Sequence, residues 1–313
     1  AGSARAGQVA DRASPAWGLA ARGAMVEAGG PPLTGTDLDA KDELWTDLAP
    51  KLYAQAVAGQ WDPNQAVDWD AEFDLAPEVE RAVVQVMTYL VENEQAALMV
   101  PARFLGRVHP HYREVMQFLA VQVADEARHA EVFTRRALLR GDQLGVSGAG
   151  GRASLQTLLE EPDFSLASFL LSVLGEGTFL NLLSFLERHA PDPVTRQVSR
   201  LALQDEARHV AFGQGHLEHR VTSEPRLRDR LRAAAERRHG ALRDTAGLAP
   251  DVFDALVVLA AGEWTPEAVG RGWDRVQQLQ AEMDEGRQRR LVRLGFTGRE
   301  AADLSALHTR NFM

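Results

Sequence analysis

The sequence contains the five-residue stretch DEARH twice, at Asp125–His129 and again at Asp205–His209. Each copy holds a Glu-x-x-His unit, in which a carboxylate and an imidazole are three residues apart. Residues three apart on a helix share one face, so each unit can offer an oxygen and a nitrogen to one metal ion. One such unit alone is usually only a solvated helix face, but two identical copies favour a metal site. The candidate ligands in the two copies are Glu126, His129, Glu206 and His209.

Two further glutamates lie on the apolar stripes of predicted helices. Glu94 aligns with apolar residues such as Met87 and Leu90, whereas the neighbouring Glu92 falls on a more polar face. Glu176 is the acid in the middle of the apolar stretch LASFLLSVLGEGTFLNLLSFLER. Because a buried carboxylate needs a partner, we predict that Glu94 and Glu176 complete the set of metal ligands.

Four long helices are predicted to carry these ligands. Their periodicity places them at about residues 76–108, 111–140, 165–188 and from 192 onward. Glu94 lies about 14 residues before the end of the first helix and Glu126 about 15 residues into the second, so an antiparallel pair brings them level. Glu176 and Glu206 repeat this spacing in the second pair. We therefore predict an all-α four-helix bundle, in which a glycine-rich linker with a short helix at residues 155–161 crosses between the two pairs.

Local signals mark several helix ends and divide the chain. Ser165 and Asp192 are predicted N-caps, and Gly175 and Gly177 permit a local bulge. Further helices are predicted at about residues 50–59, 225–246, 251–262, 266–293 and 298–307. The predicted regions are a flexible N-terminal arm at 1–35, a leading helix and loop at 36–75, the bundle at 76–222 and accessory C-terminal helices at 223–313.

Electrostatics supports a pair of metal ions. Four ionised glutamates buried together repel one another, and two divalent cations would balance their charge. Oxygen ligands with one imidazole for each metal favour iron or manganese. Asp125 and Asp205 directly precede the ligand glutamates and are candidate acceptors for the histidine N–H groups. Arg128 and Arg208 are interpreted as ion-pair partners of nearby acids, and His216 and His219 as surface residues.

The composition limits the partners of the protein. Of its 313 residues, 44 are Asp or Glu and 34 are Lys or Arg, which argues against nucleic acid or an anionic membrane as a partner. The absence of cysteine excludes thiolate metal sites and cysteine nucleophiles. We find no export signal and no apolar run that approaches a membrane span, so the expected location is the cytoplasm.

Across residues 50–220 the sequence resembles the ribonucleotide reductase small-subunit-like branch of the ferritin-like di-metal carboxylate proteins. The resemblance rests on the two Glu-x-x-His units, the two further glutamates and the loop W-D-P-N-Q-A-V-D-W, which is similar to the W-x-P-x-x-x-D loop of the family. It implies the same six metal ligands on a ferritin-like bundle. It also implies that Trp61, with Asp205 and His129, forms an electron path like that of the radical-generating members.

Several positions depart from the patterns within that superfamily. Phe133 stands where the reductase subunits carry a radical tyrosine, and the tail HTRNFM lacks the tyrosine expected for radical transfer. Ala97 and Leu171 match the positions of a Tyr–Val crosslink in the similar ligand-binding oxidases, so that crosslink cannot form. Ala202 stands where the arylamine N-oxygenases carry an additional histidine ligand.

The resemblance implies a dioxygen-activating non-heme di-iron or manganese–iron oxidase or oxygenase. Such an enzyme would hydroxylate, desaturate or N-oxidise a small organic substrate, and would need an external electron donor. A homodimer is common for the family. The residues predicted to form the pocket wall are Phe133, Phe179 and Leu203. Two alternatives remain: a radical-generating small subunit of a ribonucleotide reductase-like complex, and a ferritin-like iron-handling protein without substrate turnover.

Overall fold

The computed structural model describes residues 8–243 and 250–307, and within these ranges the structure is helical. The helices are α1 (Ala49–Ala58), α2 (Pro63–Ala66), α3 (Pro77–Leu105), α4 (Arg113–Ala137), α5 (Ala149–Glu160), α6 (Phe164–Ser168), α7 (Gly177–His189), α8 (Pro193–Ser223), α9 (Leu227–Arg243), α10 (Pro250–Ala261), α11 (Pro266–Arg293) and α12 (Gly298–Ala306). A π-helical segment, Phe169–Glu176, joins α6 to α7. Over the described residues β pairing is limited to isolated bridges. The all-α prediction is confirmed.

Two helix pairs form the predicted bundle. A short turn after Leu105 returns the chain, so that α4 packs antiparallel along α3. The continuous helix Phe164–His189 packs in the same way against α8, whose N-cap Asp192 is the residue predicted from sequence. Between the pairs the chain crosses over through α5, which packs on α3. The apolar faces of α3, α4 and α8 face the interior of the bundle and bury the layer that contains the predicted metal ligands.

The crossover is more helical than predicted. The helix α5 begins at Ala149 and includes Gly150 and Gly151, whereas the sequence predicts a glycine-rich linker up to Leu155. Glycine costs a helix only about 1 kcal/mol relative to alanine, and packing against α3 and α9 outweighs that cost.

The predicted bulge in the third long helix is an eight-residue π-helical segment. Its wider turn changes the direction of the side chains that follow it and brings Glu176 to the bundle interior. Gly213 of α8 lies against this segment, and a Cβ atom there would overlap the side chain of Ser172. A glycine is therefore required for the close approach of α8.

Two predictions are wrong, one for the N-cap at the start of α6 and one for His216 on α8. The N-cap is Asp163, whose carboxylate accepts a hydrogen bond from the Leu166 N–H at 2.9 Å, and Ser165 is buried inside the helix. The Ser165 hydroxyl lies 2.9 Å from Nε2 of His216, which is fully buried and not on the surface. His216 follows His209 by two helical turns, so both lie on the inner face of α8. Burial lowers the pKa of His216 to about 4.

Part of the predicted N-terminal arm lies against the bundle. The Arg22 guanidinium pairs with the Glu114 carboxylate at 2.9 Å, and the Ala10 N–H donates to His111 at 2.9 Å. The ring of Trp17 lies 4.9 Å from the ring of His111. These contacts fix where the described part of the arm lies, and its flexibility stays a prediction.

One helix is apolar and long enough to cross a membrane. It is Phe164–His189, and 83% of its most apolar window is buried inside the protein. The sequence-based statement that no apolar run approaches a membrane span is therefore wrong on composition. The burial follows from the position of this helix, which contributes its apolar residues to the core of the bundle.

A buried arginine joins three helices of the bundle. The guanidinium of Arg136 on α4 binds Glu80 of α3 at 2.7 Å and, at the N-terminus of α8, Asp192 and Thr195, each at 2.9 Å. The Arg136 side chain is fully buried. Removing one partner of a buried ion pair leaves the other charges uncompensated.

Replacing Arg136 should therefore destabilise the bundle strongly. We expect Arg136→Met to lower the free energy of unfolding by about 3–5 kcal/mol in urea denaturation. The matched control is Arg188→Met, because Arg188 pairs with Glu282 while its side chain is 46% exposed. The control should cost less than about 1 kcal/mol. Equal losses in the two variants would contradict a special role for Arg136.

Candidate metal centre

The structure brings the six predicted ligands together in one buried cluster. One group contains Glu94, Glu126, His129 and Glu206, and the other contains Glu126, Glu176, Glu206 and His209. Within each group the potential ligand atoms lie within 4.8 Å of one another. Glu126 and Glu206 belong to both groups. The geometry is that of two adjacent sites which share a pair of carboxylates.

Each histidine presents Nδ1 to the carboxylates. His209 Nδ1 lies 2.9 Å from Oε1 of Glu126, and His129 Nδ1 lies 3.2 Å from Oε1 of Glu206. The four glutamates and two histidines are all at most 4% exposed. The cluster therefore excludes bulk water while concentrating oxygen and nitrogen donors.

Several buried atoms of the cluster have no hydrogen-bond partner. They are both carboxylate oxygens of Glu126, Oε2 of Glu176 and of Glu206, and Nδ1 of His129 and of His209. Buried polar atoms are nearly always hydrogen-bonded, so such a group of unpartnered acceptors is exceptional. Carboxylate oxygens and unprotonated imidazole nitrogens can instead coordinate a cation, and this donor set fits two hard divalent ions.

The outer nitrogen of each histidine is held by an aspartate from the opposite motif. His129 Nε2 lies 3.1 Å from Asp205 Oδ2, and His209 Nε2 lies 3.2 Å from Asp125 Oδ2. An ionised aspartate only accepts hydrogen bonds, so each Nε2 carries the proton and each Nδ1 is free to bind a metal. The two aspartates therefore take the roles predicted from the sequence, and each does so across the helix pair.

Cations outside the cluster compensate these aspartates. Arg128 bridges them, with Nη2 at 2.5 Å from Asp125 and at 2.9 Å from Asp205. Arg208 also pairs with Asp205, so the predicted ion-pair role of both arginines is confirmed. Burial opposes ionisation of Asp205, but hydrogen bonds from His129, Arg128 and Trp61 outweigh it and hold its pKa well below the usual value.

Within the cluster, the pKa values of the two outer glutamates shift upward, in the opposite direction to that of Asp205. Burial, together with the nearby charges of Glu126 and Glu206, raises the pKa of both Glu94 and Glu176. Cations are needed if all four glutamates are to be ionised at neutral pH. Gln122, which the sequence analysis missed, donates to Oε1 of Glu176 at 3.1 Å and orients this carboxylate.

Trp61 lies where the resemblance places it. Its indole N–H donates to Asp205 Oδ2 at 2.8 Å, and its ring stacks on His129 with 6.5 Å between the ring centroids. The guanidinium of Arg128 lies over the indole ring, 4.6 Å from its centre. The adjacent Gln60 donates to Asp125 at 2.8 Å, so the second histidine–aspartate pair contacts an amide and not an indole.

A small cavity of about 20 Å³ adjoins the cluster on the side of α3, α5 and the π-helical segment. Phe179 lines it, as predicted, together with Ala97 and Leu171. Phe133 and Leu203 do not line this cavity, and a pocket wall at these two residues stays a prediction. Phe133 and Leu203 pack in the same apolar cluster as Phe179, whereas the cavity lies beside α3 and the crossover helix.

The cavity residues that sequence analysis missed come mainly from α5. They are Asn93 of α3 and, from α5, Leu155 and Leu158, which cover the cavity from outside the four-helix bundle. A helix interrupted by glycine gives little periodic signal for the face that it buries. His308 and the tail HTRNFM lie outside the described residues.

No family model and no curated protein matches the sequence. Solved structures do match it. A variant of an R2-like ligand-binding oxidase with an anaerobically reconstituted Mn/Fe cofactor is 18% identical, with a TM-score of 0.57, over 79% of this chain and 94% of that chain. An R2-like ligand-binding oxidase from Sulfolobus acidocaldarius is 16% identical, with a TM-score of 0.54, over 82% of this chain and 94% of the other.

A third match is an R2-like ligand-binding oxidase with an aerobically reconstituted metal cofactor after photoconversion. It is 19% identical, with a TM-score of 0.53, over 81% of this chain and 94% of that chain. These likenesses show a shared fold, and the prediction of a ferritin-like bundle is confirmed.

The crossed histidine–aspartate pairs predict the effect of one conservative substitution. Asp125→Asn should leave the protein folded but allow the amide to bind Nε2 of His209 in the wrong tautomer. We expect metal affinity, measured by competition with a chelator, to fall about 10–100-fold. Asp142→Asn is the control, since Asp142 is exposed in the loop before α5. Unchanged affinity in Asp125→Asn would show that this aspartate does not orient the ligand.

Proposed function

We propose that this protein is a di-metal carboxylate oxidoreductase, which uses two iron ions, or one manganese and one iron, to oxidise a small organic substrate with dioxygen. The observation that carries the proposal is the set of unpartnered, buried oxygen and nitrogen atoms that converge on two adjacent sites. The similar solved structures support it, because oxidases with Mn/Fe cofactors have the same fold.

The six candidate ligands form two groups, one for each metal ion. Glu94 and His129 would hold one ion, Glu176 and His209 the other, and the shared carboxylates of Glu126 and Glu206 would hold both. A bound pair of such metals supplies the redox chemistry with dioxygen. The four carboxylates balance the charge of two divalent cations, and the donor types favour iron or manganese over soft-ligand metals.

The remaining residues position the ligands and keep water out. Asp125 and Asp205 fix the tautomers of the two histidines, and Gln122 fixes one oxygen of Glu176. The walls formed by Leu171 and Phe179 are apolar and face the carboxylates. An apolar part of a substrate would therefore lie next to the metal pair in a dry site. Hydroxylation, desaturation and N-oxidation are all compatible with this arrangement.

The hydrogen-bonded chain from Trp61 through Asp205 to His129 would carry electrons from an external donor. Trp61 is partly exposed, whereas His129 is fully buried, so the chain joins the surface to the centre. The same chain favours one second candidate, a radical-generating subunit of a reductase-like complex. Phe133 in place of a tyrosine beside the centre makes that candidate the weaker one.

Metal analysis provides the first test. Protein purified from cells supplied with iron and manganese should contain about two metal ions per chain. After anaerobic reduction it should consume dioxygen. Glu126→Ala combined with Glu206→Ala should lose both metals, because these carboxylates are shared between the sites.

The matched control for this test replaces two exposed glutamates. Glu131→Ala combined with Glu236→Ala should retain both metals, since these residues lie on the surfaces of α4 and α9. Metal-free wild-type protein, or a Glu126→Ala, Glu206→Ala variant that still binds two metals, would overturn the proposal. A metal-linked radical and a complex with a large catalytic subunit, without consumption of a small substrate, would favour the reductase-like candidate.

The electron path predicts a kinetic effect at Trp61. Trp61→Phe keeps an aromatic ring but removes the N–H bond to Asp205, so reduction of the centre by an external reductant should slow about tenfold or more. Metal content should not change. Trp69→Phe is the control, because Trp69 lies in the same loop and donates instead to the Pro63 carbonyl. Stopped-flow spectroscopy measures both rates, and equal rates in Trp61→Phe and wild type would exclude this path.

A further inference from the structure

Arg290 of α11 contacts the π-helical segment at Val173, three residues before Glu176. Its Nε donates to the Val173 carbonyl at 2.9 Å. Among the described residues no carboxylate forms an ion pair with Arg290, and its Nη2 is buried without a hydrogen-bond partner. Burial, together with the charges of Arg287 and Arg289, lowers the pKa of Arg290 to about 9. Such surroundings disfavour a guanidinium, so packing alone does not account for an arginine at this position.

The contact supplies a donor that the π-helical register takes away from Val173. In an α-helix the Gly177 N–H would donate to the Val173 carbonyl, four residues before it. Here it donates instead to the carbonyl of Ser172, five residues before it. Arg290 donates to the Val173 carbonyl in its place. The hydrogen bond from α11 therefore stabilises the π-helical register relative to the α-helical one.

Gly177 provides the space for this guanidinium. A Cβ atom on residue 177 would overlap Nε and Cζ of Arg290. The φ of Gly177 is −58°, which any residue can adopt, so the backbone conformation does not require a glycine. The requirement comes from the close approach of Arg290. Gly177 and Arg290 therefore form a matched pair, and Gly177 directly follows the candidate ligand Glu176.

The register of this segment decides where Glu176 points. The Glu176 carboxylate belongs to the candidate group that contains His209. A shift of one residue toward the α-helical register would rotate Glu176 by about 100° relative to the helix before it, and its carboxylate would leave the group. The group that contains Glu94 and His129 uses only residues of α3, α4 and α8. Loss of the π-helical register should therefore affect one candidate ion and not the other.

We propose that Arg290 is a positioning residue which, together with Gly177, holds the π-helical register and so directs Glu176 to the ion that His209 binds. This inference rests on the proposed function, because the direction of Glu176 matters only where an ion is bound. Gln122 of α4 donates to the same carboxylate at 3.1 Å. Gln122 acts on the carboxylate itself, whereas Arg290 acts on the backbone that carries it.

The test counts the Mn²⁺ ions that the whole chain binds. Metal-free protein is titrated with Mn²⁺ and followed by EPR, in which two adjacent ions couple magnetically and a single ion does not. Wild-type protein should bind two coupled ions per chain. Arg290→Met keeps an apolar stem but removes the donor, so it should bind one ion with wild-type affinity and the second at least about tenfold more weakly. With one ion bound, its EPR signal should be that of an isolated ion.

Two further variants separate positioning from packing. Gly177→Ala retains the arginine but displaces it, and should cause the same loss of the second ion. Arg290→Lys retains a donor on a long side chain, and should bind the second ion more tightly than Arg290→Met does. The matched controls are Arg289→Met and Gly240→Ala, since the Arg289 side chain is 69% exposed and a Cβ at Gly240 meets no described atom within 4 Å. Both controls should retain two coupled ions.

Two coupled ions of wild-type affinity in Arg290→Met would overturn the inference and leave the oxidase proposal standing. Equal weakening of both ions in this variant would also overturn it, because a general loss of packing does not distinguish the two positions. If Arg290→Met does not fold, the comparison of Gly177→Ala with Gly240→Ala gives the same decision. Wild-type protein that binds no Mn²⁺ would overturn the proposed function, and this inference with it.

Discussion

The repulsion between four carboxylates in one buried layer is the constraint on which the rest of the structure depends. Water cannot screen these charges, because every one of the four glutamates is at most 4% exposed. Within the layer, only cations bound between the carboxylates could balance them. Outside the layer, Arg128 and Arg208 balance the two aspartates that hold the histidines. The positive and negative groups therefore alternate outward from the centre, which keeps the oxygen atoms free at the one place where a metal ion needs them.

The duplicated motif has a structural reason beyond supplying two sets of ligands. Each aspartate holds the histidine of the other copy, so Asp125 on α4 fixes His209 on α8, and Asp205 on α8 fixes His129 on α4. Neither half of the centre has a correctly oriented histidine unless both helices are in place. The two copies still differ at their outer ends, where Trp61 contacts one aspartate and Gln60 the other. Because of this difference, only one side of an otherwise two-fold arrangement has an indole, and that side is the one proposed for the electron path.

The sequence predicted the ligand level of the bundle because its physical determinants are local. Glu94 and Glu176 could be found because an acid on an apolar stripe has a high energetic cost unless it is used. The errors arose where tertiary contacts determine the position of a residue. Ser165 looked like an N-cap, but Asp163 takes that position and Ser165 instead binds the buried His216. The wall of the cavity also escaped prediction, because Leu155 and Leu158 belong to a crossover helix whose packing partner is distant in sequence.

The bundle helices and the accessory helices contribute different groups to the site, which explains which residues could be predicted. The candidate metal ligands all come from helices of the bundle, where their repeated spacing allows them to be found from the sequence. The groups that shape the remaining surroundings come from elsewhere: Arg290 of α11 donates to the Val173 carbonyl in the π-helical segment at 2.9 Å, and Arg238 of α9 reaches α5. The first contact supports the turn that carries Glu176, and the second holds α5, whose Leu155 and Leu158 line the cavity. A change in α5, α9 or α11 can therefore alter the surroundings of the cluster without replacing a candidate ligand, whereas a change in the repeated motifs alters the cluster itself.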